Sequence, residues 1–329
     1  MSCTYRAALP VGALAAAVAL ALTGCGGGGS AAPAEGKQQL KVVVAPIQFE
    51  AAHIAQQEGF FEDEGLEVEI VPGADPAANM AMAVSGEADL VTASWGVMTT
   101  SIASGVPVKA VAGNGIVSPT GDNSGVMVRP DSDIDGVRGL AGKTVGMVSI
   151  NSGGDIPMLQ AMIAEGGDPS AITQVNVPYA GMQAALEQGT VDAVFPADNF
   201  YHQMVEAGYK VVSNPIREYQ AYSSGTLWAA TDQWLQANPE TAEKFSAALG
   251  EAISYYSDPE NVESVRAITA EVKSVDVAAV NPKTYATLDP AFYVEAGQKL
   301  IDAYEELGLV KDPKTAEEMI WEGAARATP

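Results

Sequence analysis

Two stretches of this chain repeat one another, and the repeat restricts the fold more than any compositional figure does. Residues 68–92 and 175–195 both run strand, Val-Pro-x-Ala, amphipathic helix, glycine, two residues, aspartate, strand. Ala74 to Asp89 spans 15 positions and Ala180 to Asp192 spans 12, so the first copy carries about one extra helical turn. Gly86 and Gly189 sit where a left-handed helix cap favours glycine. Asp89 and Asp192 are placed to hydrogen-bond backbone before the next strand. Upstream of each copy lies a matching strand and helix: residues 41–45 then 49–58, and residues 144–148 then 155–165. Each half thus reads β-α-β-α-β, which implies two α/β lobes, each a mainly parallel sheet flanked by helices.

The remaining segments attach to this frame. Residues 108–112 and 125–129 read as further strands of the first lobe, and residues 130–142, rich in Asp and Gly, as a crossing. Residues 222–230 read as the strand that returns. The C-terminal third reads as helices over residues 239–257, 259–272, 290–307 and 313–325, each with a proline near its start, where a missing N–H costs least. The expected division is residues 40–129 and 222–329 for lobe one, with lobe two, residues 130–221, inserted. Two crossings form the hinge.

The N-terminus points to export. Residues 11–22 form an apolar run after a short polar start carrying Arg6, and Leu22-Thr23-Gly24-Cys25 closes it. A cationic start, an apolar middle and small residues at the cut describe a bacterial export signal. At about 12 residues the run falls short of the roughly 20 that a spanning helix needs. The Leu-x-Gly-Cys ending looks like a lipoprotein signal, with residues 1–24 removed and Cys25 lipidated; the other reading is an ordinary secretory signal cut nearby. Residues 25–39 then supply a flexible tether, and the expected location is extracytoplasmic, lipid-anchored to the cell membrane. The only other cysteine is Cys3, so the folded body has none for a disulfide, a Cys metal site or a Cys nucleophile. Seventeen basic against 41 acidic residues give a formal charge of −24. That argues against nucleic acid and against a basic membrane-binding patch, and suits a self-repelling monomer.

With these elements placed, several motifs resemble a known family. The run from Glu58 to Val68 (E-G-F-F-E-D-E-G-L-E-V) is similar to a signature of periplasmic binding proteins for nitrate, alkanesulfonates, taurine and the thiamine pyrimidine precursor. So are Ser85-Gly-Glu-Ala-Asp89, Leu140-Ala-Gly-Lys-Thr-Val-Gly146 and Ala185-Leu-Glu-Gln-Gly-Thr-Val-Asp192. The resemblance covers residues 41–309. It implies a two-lobed, type II-like periplasmic-binding-protein fold and a receptor that hands a small molecule to an ABC permease and its ATPase. Hinge bending would close the lobes around the ligand.

Other motifs point away from chemistry. Gly142-Lys143-Thr144 mimics the end of a phosphate loop, but Val137 stands where that motif needs its first glycine. The Lys also precedes a strand instead of following one. With His53 and His202 as the only histidines, little remains for a His metal site or a Ser-His-Asp triad. His53 reads equally as a cleft contact or as a part-exposed helical residue. No cofactor, metal or catalytic residue is expected.

Ligands of open α/β sheets lie beyond the carboxyl ends of strands, near helix N-termini. That rule selects Gln48, Phe49, Ala74, Ser94 and Trp95 in lobe one. In lobe two it selects Asn151, Ser152, Gly153, Gly154, Asp155, Tyr179, Asp198 and Asn199, with Tyr222 near the returning crossing. Residues 151–154 offer close backbone approach and uncharged donors, or simple turn and cap chemistry. Trp95, Phe49 and Tyr179 clamp a flat ligand or serve as core. No Arg or Lys falls at an expected cleft position; Arg217 and Arg129 are the nearest. Glu50 and Asp155 meanwhile neutralise the two cleft-facing helix ends. The ligand class therefore stays open among a sulfonate, a zwitterion and a polar aromatic, pyrimidine-like compound. A sensor lipoprotein, or an enzyme of thiamine-pyrimidine synthesis, are the alternative functions.

Overall fold

Strand β1 (Gln38–Val44) is an apolar run with its last residues fully buried, and it lies between two parallel partners, β2 (Leu66–Pro72) and β3 (Leu90–Ala93). These positions come from a computed structural model that describes residues 37–150 and 154–328. Cys25, the expected signal over residues 1–24 and most of the tether lie outside the described residues. So do Asn151, Ser152 and Gly153. No described helix is long and apolar enough to cross a membrane.

The first sheet runs β2-β1-β3-β11-β4, where β4 is Val108–Gly113 and β11, Leu227–Thr231, is antiparallel to both its neighbours. The short β5 (Gly115–Ile116) pairs with residues 287–288 beside it. The second sheet consists of β6 (Val126–Val128), β7 (Thr144–Met147), β8 (Thr173–Asn176), β9 (Ala193–Val194) and β10 (Lys210–Ser213), in the order β8-β7-β9-β6-β10. Here β6 is the antiparallel strand. Both sheets thus have one plan: a parallel trio ordered second-first-third, then an antiparallel strand, then a fourth parallel strand. In each sheet the antiparallel strand arrives over a crossing from the other half of the chain.

Helices cover the sheets. In the first half these are α1 (Glu50–Gln57), α2 (Phe60–Asp63), α3 (Pro76–Ser85) and α4 (Trp95–Ala103). The second sheet carries α5 (Asp155–Ala164), α6 (Met182–Glu187), α7 (Asp198–Glu206) and α8 (Pro215–Gln220). The C-terminal third adds α9 (Asp232–Ala237), α10 (Pro239–Ser257), α11 (Val262–Lys273), α12 (Val294–Glu306) and α13 (Ala316–Met319). The core of the first sheet is anchored by Phe61 stacked on Phe245 at 5.6 Å and by Trp228 edge-on to Phe245 at 5.0 Å. Gly86 and Gly189 take the left-handed conformation expected of them, at φ +76° and +68°.

Three expected elements differ. The strand near residues 125–129 forms, but as β6 of the second sheet, so the chain has already crossed before Val126. Its apolar run fits either sheet, and only pairing with β9 and β10 decides. The helix expected over residues 313–325 is reduced to the single turn of α13, closed by a Thr315/Glu318 capping box. Beyond it Ile320 bridges to Ala110, and Trp321 N donates to Ala110 O at 2.9 Å. Sheet pairing draws the segment out of the helix. The helix expected from residue 290 starts at Val294, because Phe292 and Tyr293 pair with residues 326–327.

Candidate functional site

The carboxyl ends of the parallel strands open toward a common cleft. Gly73 N donates to Val44 O and Val177 N to Met147 O, both at 2.7 Å, which closes the second strand of each sheet against the end of the first. The same hydrogen bond recurs in both lobes because the sequence repeat does. Between the strand ends lies a cavity of about 130 Å³, reached from both sheets and from both crossings. That is room for several waters, the scale of a small organic molecule.

Seven residues selected from sequence line this cavity: Gln48, Ala74, Ser94, Trp95, Gly154, Tyr179 and Asp198. Ser94 also caps α4, its Oγ accepting from Val97 N at 3.3 Å. Trp95 is 1% exposed and packs edge-on to Phe292 at 5.7 Å, so its ring is chiefly core with one edge at the wall. Tyr179 stacks on Phe200 at 5.5 Å. Four described candidates do not line the cavity. Phe49 is buried against His53, with Lys273 Nζ 5.4 Å from its ring centroid, and His53 is likewise off the cavity wall. Asp155 is wholly buried near Tyr304 of α12, whose hydroxyl is pushed up by burial and then by the Asp155 charge. Asn199 is off the cavity wall, and Tyr222 packs on Tyr293 at 5.7 Å.

The expectation of a cleft without a cation is overturned. Arg217 lines the cavity from α8, and its guanidinium meets Asp122 Oδ1 at 2.6 Å. Asp122 lines the cavity too, and its other oxygen accepts from Asn214 Nδ2 at 3.1 Å. Neither residue belongs to a motif; the sequence clue was only that α8 leads into the returning crossing. Ser224, Thr226 and Gln220 are further wall residues absent from the sequence selection.

Asp198 is the carboxylate of the site not matched by an ion pair. It is 6% exposed at the first turn of α7. Burial raises its pKa most, while Lys273 and backbone N–H groups oppose that shift. Its Oδ2 accepts from Gln48 N at 3.3 Å across the cleft, and its own N donates to Asn123 O at 2.6 Å. Gln48 and Asp198 both sit at φ +51°, a left-handed conformation that such residues hold only where the surroundings impose it. Asn114 Nδ2 donates to Gln48 O at 2.8 Å, and Thr226 Oγ1 donates to Gln48 Oε1. Glu50, 4% exposed at the start of α1, is raised from 4.5 to about 7, by burial first and the Asp198 charge second. The same two causes raise the Tyr179 hydroxyl. Among the described residues the wall carries no histidine or cysteine. Its chemistry is hydrogen bonding and apolar contact, with Asp198 accepting from N–H groups.

Known proteins resemble this chain in sequence and in fold. The profile of the NMT1/THI5-like family matches residues 47–262. A Haemophilus influenzae protein named for thiamine biosynthesis is 34% identical over 145 residues, 44% of each chain. This chain therefore spans under half the length of that relative. The 4-amino-5-hydroxymethyl-2-methylpyrimidine phosphate synthase of Uromyces fabae is 26% identical over 253 residues, covering 73% of this chain and 70% of its own. Among solved structures, the alkanesulfonate-binding protein of Xanthomonas axonopodis pv. citri, bound to MOPS, superposes with a TM-score of 0.71 at 18% identity. That match covers 88% of this chain and 98% of the other, and it establishes a periplasmic-binding-protein fold.

Proposed function

Because this chain is a member of the NMT1/THI5-like family, we propose that it is an extracytoplasmic receptor that carries a small amino-heteroaromatic molecule, of the aminopyrimidine class, to an ABC permease and its ATPase. The observation that carries the reading is the charge arrangement in the cavity. Arg217 is already paired with Asp122, which leaves Asp198 as the group that recognises charge or N–H donors. A plain anion would find no uncompensated cation there and would face a buried carboxylate. An amine or ring N–H would satisfy that carboxylate, while Tyr179 and the edge of Trp95 give a flat ligand aromatic contact. The pyrimidine named in the Uromyces fabae relative has this chemistry. The Leu-x-Gly-Cys ending supports anchoring through lipid on Cys25; unchanged membrane attachment of a Cys25→Ser chain would contradict it.

Calorimetry tests the ligand class. Asp198→Ala removes a charge-assisted hydrogen bond, which contributes roughly 1.5–3 kcal/mol. Affinity for 4-amino-5-hydroxymethyl-2-methylpyrimidine should fall about ten- to a hundredfold. Ethanesulfonate, if it binds, should be unaffected or improved. The reverse pattern would make this an anion receptor. One observation favours a second reading, an enzyme: the synthase name of that same relative. The two-lobed fold shared with a solved alkanesulfonate-binding protein favours the receptor.

A further inference from the structure

The two crossings between the sheets run side by side as an antiparallel ribbon. Val117 N donates to Ser223 O and Tyr222 N to Val117 O, each at 2.9 Å, and Gly225 N donates to Gly115 O at 2.7 Å. One face of this ribbon forms a wall of the cavity. Besides the Tyr222 phenol, the ribbon carries four side-chain hydroxyls, those of Ser118, Ser223, Ser224 and Thr226. Ser118 Oγ is occupied within its own turn, accepting from Thr120 N at 3.2 Å and Gly121 N at 3.0 Å. Thr226 Oγ1 accepts from Asn114 Nδ2 at 2.9 Å and Gly115 N at 3.1 Å, and donates to Gln48. Ser223 and Ser224 are 1% and 3% exposed, and neither Oγ has a hydrogen-bond partner among the described residues. Of these two residues, only Ser224 lines the cavity.

A buried hydroxyl without a partner is destabilising and calls for an explanation. We propose that Ser224 is a ligand-binding residue, its Oγ hydrogen-bonding a hydroxyl substituent of the molecule in the cavity and so tying that molecule to the hinge ribbon. The remaining charged groups of that wall, Arg217 and Asp122, are committed to each other, whereas Ser224 retains both its donor and its acceptor capacity. The inference rests on the cavity being the ligand site and goes beyond it by assigning one ligand group to one residue.

Ser223 supplies the control, because it is equally buried and equally unpartnered but off the cavity. The experiment is calorimetry on the purified protein with 4-amino-5-hydroxymethyl-2-methylpyrimidine and with 4-amino-2,5-dimethylpyrimidine, which lacks the hydroxyl. The wild-type protein should prefer the hydroxymethyl compound by about three- to tenfold, the contribution of one neutral hydrogen bond. Ser224→Ala should abolish that preference, and Ser223→Ala should keep it. Thermal melts without ligand should place both variants at or above wild type, since each loses an unpaired buried hydroxyl. No preference in wild type, a preference that survives Ser224→Ala, or equal loss in Ser223→Ala would each overturn the assignment. If neither pyrimidine binds wild type, the pyrimidine reading fails, and Ser224 is decided by the same criterion on 2-hydroxyethanesulfonate against ethanesulfonate. Binding of none of the four overturns both.

Discussion

Glu50 and Asp198 are buried carboxyls at the first turns of α1 and α7, and the charge of Asp198 acts on Glu50. Glu50 gives a pH signature with a definite sign. Below about pH 4.5 it holds its proton in folded and unfolded chains alike, so it contributes no slope. Between 4.5 and about 7 the folded chain keeps the proton that the unfolded chain has released. The folded state then binds more protons, and stability falls as pH rises. Above about pH 7 the full penalty is present, roughly 3 kcal/mol from the size of the shift. Glu50→Gln should therefore unfold at higher denaturant than wild type at pH 8, with the difference vanishing near pH 4. A difference that does not change with pH would contradict this origin. The residue scale is also where sequence reasoning was least complete. One rule selected both Asp155 and Asp198, each in the first turn of a helix after a strand. Asp198 faces the cavity, whereas Asp155 is enclosed near Tyr304, supplied from about 150 positions further along the chain. Helix rotation is set by packing partners, and no local pattern encodes them.

The repeat governs the elements. Asp89 Oδ2 accepts from Lys41 N at 2.8 Å while Asp89 N donates to Lys41 O at 2.8 Å. In the second lobe Asp192 Oδ2 accepts from Thr144 N at 2.9 Å and Asp192 N donates to Thr144 O at 2.8 Å. Sequence placed these aspartates in local turns. Their actual partners sit on the neighbouring parallel strand, so each clamps β1 or β7 to the strand that follows it. Removing such an acceptor leaves a backbone N–H of the sheet unpaired, so Asp89→Ala should cost about 1–2 kcal/mol in urea unfolding. Asp192→Ala should cost less, because its exposed site admits water as a replacement. Equal losses would mean that burial does not set the scale. Period and turn chemistry made β1, β3, β7 and the helices α1, α3 and α5 legible, because those signals are local. The sheet membership of β6 and the extended segment after α13 were not legible. Both are decided by pairing with strands far away in sequence, which overrides local preference.

At the scale of the whole molecule, two lobes with one strand plan exchange an antiparallel strand each, and the crossings that carry the exchange pair into a ribbon beneath the cavity. The cavity is therefore shared: the residues after β1 and the end of β3 supply one wall, the end of β7 and the residues after β9 another, and the ribbon a third. A cavity lies between the strand ends, where sequence placed the cleft, and its wall carries the Arg217–Asp122 pair that sequence did not select, because it joins a crossing to α8 and exists only once both are folded together. That pair leaves the Arg217 guanidinium matched within the wall, which is why we propose that the cavity takes a neutral or cationic polar aromatic and holds it unaltered. The direct measurement is mass spectrometry of the small molecule released on denaturing protein purified from its own cells, repeated after prolonged incubation with the same compound. The released compound should be an amino-substituted heteroaromatic, bound one to one and recovered with its mass unchanged. Recovery of a sulfonate or nitrate, or of a chemically altered product, would contradict that proposal.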